Sequence, residues 1–457
     1  MARAAVLALV TACWSGKPAV APEAFAIPAR LRTCSIDPPR RTEQQLVVRR
    51  WLGRIGERSW LVASAGPRLV LVAIFNGELV QTPLPFDTLR ADHVTGTKLW
   101  LAGTVETKTL LVEIDLAGEP RIAPPLEWDI APLAAVDALA VSADRILLAE
   151  HTINQLAFQL FDRGPIPTSV RPGDSRPTSV RPGDSRPIER RTIGPVVTVK
   201  SSDPLAPGMR CTGDRCFVVA IAGAGPTRRA FVDRFAPDGS TEHEVLADDR
   251  IASLQTATLG ERTIVVWTSV ERSGLFARGL DPGGRPDTRR TVLAGLPAAP
   301  IVFEVLPASP PRIAVRGGDD RWVVGAIDVD GRRIDDPRPV PFDRDATAFT
   351  GAAMPDGILA AGFWSRVEYH GGFHTWSAKA TAAFLPATRD AEPPIEVLPK
   401  RTGDGRAGMA AFPLVAPGEA AVLVVPQGPE APAGGELFNL RGVCPATAGS
   451  APVRTPR

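Results

Sequence analysis

The stretch Glu261–Gly284 reads ERTIVVWTSVERSGLFARGLDPGG. An apolar run, Ile264–Trp267, is followed by a polar loop and a second apolar run. The segment ends in Asp281-Pro282-Gly283-Gly284, a sequence built for a turn. Runs this short, rich in Val and aromatic residues and bounded by Gly, Pro and charged positions, are strands, so the stretch is one β-hairpin.

Variants of the hairpin recur along most of the chain. Arg58-Ser59-Trp60-Leu61-Val62 is followed by Val70–Gly77, and Lys98-Leu99-Trp100-Leu101 by Leu110–Gly118. Asp144–Leu148 pairs with Leu156–Gly164, Asp214–Val219 with Ala230–Gly239, and Arg312–Val315 with Trp322–Gly331. A seventh copy starts at Asp356-Gly357-Ile358-Leu359, and an eighth at Glu419–Leu423 with Leu437–Gly442. One strand-like segment precedes each hairpin (Ile251–Leu259, Ala346–Ala353) and another follows (Glu242–Leu246). Each unit therefore holds four strands, and the units repeat about every 40–50 residues once insertions are set aside. The strands read as continuous apolar runs more than as alternation, which fits sheets covered on both faces.

On this grammar, residues 42–445 resemble the β-propeller superfamily: all-β, with seven or eight four-stranded blades, eight fitting the copies better. The likeness is architectural, without a WD motif, a kelch Gly-Gly motif or a true Asp-box recurring from unit to unit. A near-constant period counts against the rival fold, two packed β-sandwiches. The segment 42–52, TEQQLVVRRWL, is expected to complete the eighth unit and close the ring.

The amino terminus has another layout. Met1-Ala2-Arg3 is a short positive region, Ala4–Ala12 an apolar one, and Val10-Thr11-Ala12-Cys13 resembles the lipobox of bacterial lipoprotein signal peptides. That resemblance implies lipidation of Cys13, loss of residues 1–12, and, with Trp14 rather than Asp next, an outer-membrane lipoprotein facing the periplasm or the cell surface. Residues 13–41 then form the lipidated Cys and a Pro/Ala-rich tether. Of five cysteines, four remain; an even remainder in an exported chain predicts disulfides. Cys211 and Cys216 flank a turn and suit a bond. Cys34–Cys444 would then fasten the ends of the folded part, one pairing of three.

Residues 167–186 are PTSVRPGDSR twice over. A Pro-, Ser- and Arg-rich repeat of this kind cannot bury a core and is expected as a loop, as is a disordered tail at 446–457. Fifty-two Lys and Arg against fifty Asp and Glu, mixed along the chain, give no footing for nucleic acid as a partner. Attachment to a membrane is expected through the lipid alone, with the protein a monomer.

The pattern breaks most in the seventh unit. Between its central strands lies Phe363–Trp376, FWSRVEYHGGFHTW, with two of the five His and the only Tyr. In propellers, loops joining second and third strands lie on a face that commonly binds ligands. Trp364, Tyr369 and Trp376 are candidates for stacking on a sugar or peptide, against the alternative of a long hairpin whose aromatics fold back over the propeller rim. If Gly371-Gly372 makes the turn, His370 and His374 are expected to face one another and, with Glu368, form a weak candidate metal site. No metal or other cofactor is otherwise expected. His243, between Glu242 and Glu244, reads as a solvated edge, and no Ser-His-Asp order or GxSxG elbow appears. Two readings follow. The first is a non-catalytic, envelope-anchored propeller that binds a protein or glycan. The second is a polysaccharide hydrolase or lyase working with channel or loop residues.

Overall fold

The computed structural model describes residues 35–441 except 37–39, 42–45, 107, 129–134, 153–154, 164–185, 188–191, 201–204, 224–226, 260, 273, 288–290, 294–301, 307–310, 317–319, 328–333, 343–345, 355–356, 387–393 and 429–433. Its strands form eight antiparallel blades in chain order. Blade 1 is Leu46–Ile55, Arg58–Ala65, Arg68–Phe75 and Glu78–Pro83. Blades 2 to 7 begin at Thr88, Ala135, Leu205, Ile251, Val302 and Ala348. Blade 8 holds Gly408–Ala416, Glu419–Gln427 and Glu436–Arg441.

Periodicity explains why the central strands look continuously apolar. Successive side chains of a strand point to opposite faces of its sheet. In Arg262–Ser269 of blade 5, Val265 and Trp267 enter the core shared with blade 4, and Ile264 and Val266 the core shared with blade 6. Both faces are covered, so both sets are apolar. Among the described residues the buried apolar side chains fall into eight clusters, one at each junction between neighbouring blades. Eight blades with eight interfaces make a closed ring. Outer strands such as Glu78–Pro83 end their sheet, with a strand partner on one side only, and stay polar and partly exposed.

The ring closes upstream of the expected segment. Leu46–Ile55 is the inner strand of blade 1, pairing with Arg58–Ala65. Closing strands come instead from two short segments upstream: Ser35 and Ile36 pair with Arg441 and Leu440, and Arg40 and Arg41 with Leu437 and Glu436. The apolar run Leu46-Val47-Val48 suited burial deep in a blade better than an outer edge, and the polar Arg40-Arg41 suits the edge.

The turn at the end of the opening hairpin depends on glycine. Asp281 accepts backbone hydrogen bonds from Gly283 (2.9 Å) and Arg285 (2.8 Å). Gly284 has φ +81°, and a Cβ there would lie 2.6 Å from the Phe217 side chain of blade 4. Cys211 and Cys216 are directly opposed across the blade 4 hairpin and form a disulfide. Cys13, Cys34, Cys444, the tail and the tandem decamer up to residue 185 lie outside the described residues. Arg186 and Pro187, where the decamer ends, pair in parallel with Leu126 and Glu127 of blade 2.

Candidate functional site

Two places depart from the regular blade. The first is the central hairpin of blade 7. Its strands Gly357–His370 and Phe373–Pro386 each have 14 residues, against 8 in the second strands of blades 1 to 5. The excess makes an arm of roughly 20 Å at about 3.3 Å per residue. The outer strand Ile395–Asp404 accompanies it as far as Thr375. Gly371 (φ +53°) and Gly372 (φ +118°) form the two-residue turn that the sequence suggests. Positive φ at both positions suits the hairpin's twist and favours glycine.

That turn pairs His370 with Phe373 and Tyr369 with His374. Strand alternation then sorts the six expected residues into two sets. Trp364, Glu368 and His370 share one face; Tyr369, His374 and Trp376 share the other. The expectation that His370 and His374 face one another is therefore not met: the turn forms, but its register turns the imidazoles to opposite faces. His370 packs its ring against Phe373 (centroids 5.8 Å apart) and its Nε2 lies 3.4 Å from a Glu368 oxygen. His374 packs against Tyr369 at 5.0 Å. No group of three His, Cys, Asp or Glu suited to a metal occurs among the described residues.

The tryptophans serve the arm itself. Trp376 is 7% exposed and packs with Ala378 and Met409 between blades 7 and 8. A Cβ at Gly403 would lie 2.6 Å from its Nε1, so glycine there makes room for the indole. Trp364 is half-buried, with the Lys400 Nζ 5.7 Å from its ring centre. What the arm presents is Val367 (46% exposed), Tyr369 (67%) and Phe373 (58%). Val367 and Phe373 were not singled out in the sequence.

The arm also has an open backbone edge. The inner strand Ala348–Met354 pairs with blade 7's second strand only as far as Phe363. Among the described residues no strand pairs with 364–370 on that side. Ser365 is partly occupied, its Oγ accepting from the Met409 N–H at 3.3 Å. In a two-residue hairpin the residues flanking the turn exchange hydrogen bonds and the pattern alternates from there. The N–H and C=O of Val367 and Tyr369 therefore point to the open edge.

The second place is the channel. The inner strands of blades 2 to 8 touch in sequence around the axis, and those of blades 7 and 1 touch as well. They line a cavity of about 640 Å³ that is open to solvent on one side. Because strands alternate in direction, turns between first and second strands lie on one face of the disc and the blade 7 arm on the other. The cavity lies towards the first face: Arg54, Ile55, Gly96, Thr258 and Thr263 line it beside such turns.

Blade 1 supplies its charge. The sequence Arg50-Trp51-Leu52-Gly53-Arg54 carries a β-bulge on each side of Trp51, at Val48/Arg50 and Trp51/Gly53. No other inner strand carries two among the described residues. Bulges re-aim side chains, and here both arginines line the cavity. The Arg50 Nε donates to Asp92 at 2.5 Å. Arg54 donates from Nε to the Gly56 carbonyl (3.0 Å) and from Nη1 to the Ala353 carbonyl of blade 7 (3.2 Å). Loss of water around His93 pushes its imidazole down to about 4, with repulsion from Arg210 adding and a hydrogen bond to the Val141 carbonyl opposing. Sequence reading missed this set, since its members sit in inner strands of different blades and no local motif joins them.

His243 is more than a solvated edge. Its Nδ1 lies 2.7 Å from Asp233, which is 3% exposed. Burial pushes the Asp233 carboxyl up, and the hydrogen bond from His243 partly offsets this.

No protein-family model matches the chain, and no curated protein matches it. Among solved structures it is similar to the Dos1 propeller, at 8% identity and TM-score 0.44 over 88% of this chain and 95% of that one. It is similar to a prolyl endopeptidase at 12% identity and TM-score 0.41, over 87% of this chain and 55% of that one. It is also similar to the dihydro-heme d1 dehydrogenase NirN at 12% identity and TM-score 0.38, over 79% and 69%. The chain thus spans about half the length of the prolyl endopeptidase it matches. The propeller rests on the strand pairing above, and none of these likenesses assigns an activity.

Proposed function

We propose that the protein is an envelope-anchored, non-catalytic recognition scaffold that holds a partner protein by strand addition on the blade 7 arm. The observation that carries this reading is the open edge at 366–370, flanked by exposed Val367, Tyr369 and Phe373. An unpaired edge is a template for another strand, and its backbone supplies affinity while side chains on either face supply selectivity. A protein fits better than a glycan because the broad indole faces are committed: Trp376 is buried and Trp364 half-buried. Hydrolysis of a polysaccharide by a carboxylate pair gains no support from the cavity, whose described lining holds one carboxylate, Asp92, bound to Arg50.

Val367→Pro tests the mode of binding. Proline removes an N–H that faces the open edge and leaves the hairpin's own hydrogen bonds in place. A photo-reactive residue at position 369, in cells that make the protein, should give protein adducts of discrete size, and Val367→Pro should abolish them. Absence of discrete protein adducts, or adducts that survive Val367→Pro, would sink the proposal.

Anchoring rests on the Val10–Cys13 lipobox pattern. Cys13→Ala should move the protein from the membrane fraction to the soluble fraction. If fractionation is unchanged, the anchor is not at Cys13.

A further inference from the structure

We propose that the channel cavity is a binding site for one small organic monoanion, whose charged head sits on Arg54. The site is independent of the arm and lies towards the opposite face of the disc.

Size and walls come first. A cavity of about 640 Å³ falls within the range that small-molecule sites occupy. Trp51, Met209, Ala257 and Val305 give it an apolar side, and Thr256 and Thr258 add hydroxyls. Such walls suit an organic body better than a bare inorganic ion.

The charge decides the class of ligand. Arg50 and Asp92 neutralise one another across an ion pair. His93 is uncharged near neutral pH. Arg210 stands beside Met209 and is opposed by Glu261. Arg54 has only the Gly56 and Ala353 carbonyls as acceptors among the described residues, so its positive charge meets no carboxylate. A guanidinium is always charged and takes an oxyanion in a two-pronged fashion. The two carbonyls occupy the Nε hydrogen and one Nη1 hydrogen and hold the plane fixed, which leaves one Nη1 and two Nη2 hydrogens for a ligand. One surplus charge within a lining of mixed polarity selects one negative charge, disfavours cations, and leaves a second anionic group unmatched. The chemistry fits a carboxylate, a sulfonate or a monoanionic phosphodiester on an apolar body.

Fixed geometry strengthens the case. Arg54 is held from two blades at once, by Gly56 in its own turn and Ala353 across the ring. The bulge at Trp51/Gly53, with Gly53 at φ +71°, re-aims the strand just before it. A donor fixed beforehand loses little freedom when a ligand arrives.

The test uses the full chain and 8-anilinonaphthalene-1-sulfonate, a fluorescent monoanion with an apolar body. The wild-type chain should bind one equivalent saturably. Benzoate should displace the dye, and benzamide, of the same shape without the charge, should displace it at least about tenfold less well. Arg54→Gln should weaken dye binding by a similar factor, with Arg54→Lys in between. The benzoate–benzamide comparison needs no variant, so it holds even if Arg54→Gln folds poorly. A wild-type chain without a saturable site, equal displacement by the two competitors, or a folded Arg54→Gln chain with wild-type affinity would each overturn the site. None of these outcomes bears on the arm, so the two proposals stand or fall separately.

Discussion

Trp267→Ala lowers the stability of the ring by about 3–5 kcal/mol, the usual cost of truncating a fully buried tryptophan. Trp267 has no exposed surface and stacks on Phe276, with centroids 5.8 Å apart. It packs among Phe217, Val219, Val232 and Leu254, so its loss opens a cavity between blades 4 and 5. The neighbours are β-strands tied into two sheets and cannot collapse inward without breaking register, which places the cost towards the upper end. Trp267→Phe keeps an aromatic ring against Phe276 and should cost clearly less. Equilibrium urea unfolding of the three proteins is the measurement. A Trp267→Ala chain within about 1 kcal/mol of wild type would mean that this interface is not close-packed as described.

Acid destabilises the protein through His93. In the folded chain its imidazole is held down at about 4, against an ordinary value of 6.5, chiefly by loss of water around it. Between these values the unfolded chain takes up a proton that the folded chain refuses. Stability contributed by keeping the ring neutral is therefore complete above about pH 6.5 and is lost as the pH falls towards 4. The loss reaches up to about 3 kcal/mol, since each pKa unit corresponds to about 1.4 kcal/mol. His93→Gln cannot titrate and should flatten that part of the profile. Asp233 and Glu304 work in the opposite sense. Burial raises both carboxyls, so the folded chain binds their protons first and gains stability as the pH drops through their raised values towards the ordinary carboxylate range. The comparison is therefore wild type minus His93→Gln, by urea unfolding at pH 7 and pH 4.5. Parallel losses in the two proteins would show that His93 is not the group responsible.

The blades were legible because each one states its grammar locally. A turn, an apolar run, a loop and a second apolar run recur eight times, and Cys211 and Cys216 could be paired because a turn lies between them. The closing strand was not legible in this way. Short segments such as Ser35-Ile36 and Arg40-Arg41 carry no apolar signal, and they become strands only because Glu436–Arg441 offers an edge. The arm was legible as an exception, and its turn was read correctly at Gly371-Gly372. What failed was parity. A two-residue turn places its flanking residues opposite each other, so His370 meets Phe373, and one residue of offset moves His374 to the other face. The channel could not be read at all. Arg50, Asp92 and Met209 belong to three blades, and nothing in a linear chain states which blades meet at an axis.

Closure by Ser35-Ile36 and Arg40-Arg41 has a consequence for the order of events during synthesis. The earliest of the described strand segments to leave the ribosome find their partner in Glu436–Arg441, among the last described residues to be made. Until then the nascent chain is an arc with two raw ends: the blade 1 surface around Leu46, Leu61 and Val72, and the blade 7 surface around Ala378 and Leu398, both later covered by blade 8. Ends of this kind are sticky, and another arc can cover them as readily as the proper blade. Translation that stalls before Glu436 leaves the clasp open however well the earlier blades have formed. Quality control of this protein therefore turns on Glu436–Arg441, and truncations that remove this strand should aggregate more than the small loss of chain would suggest.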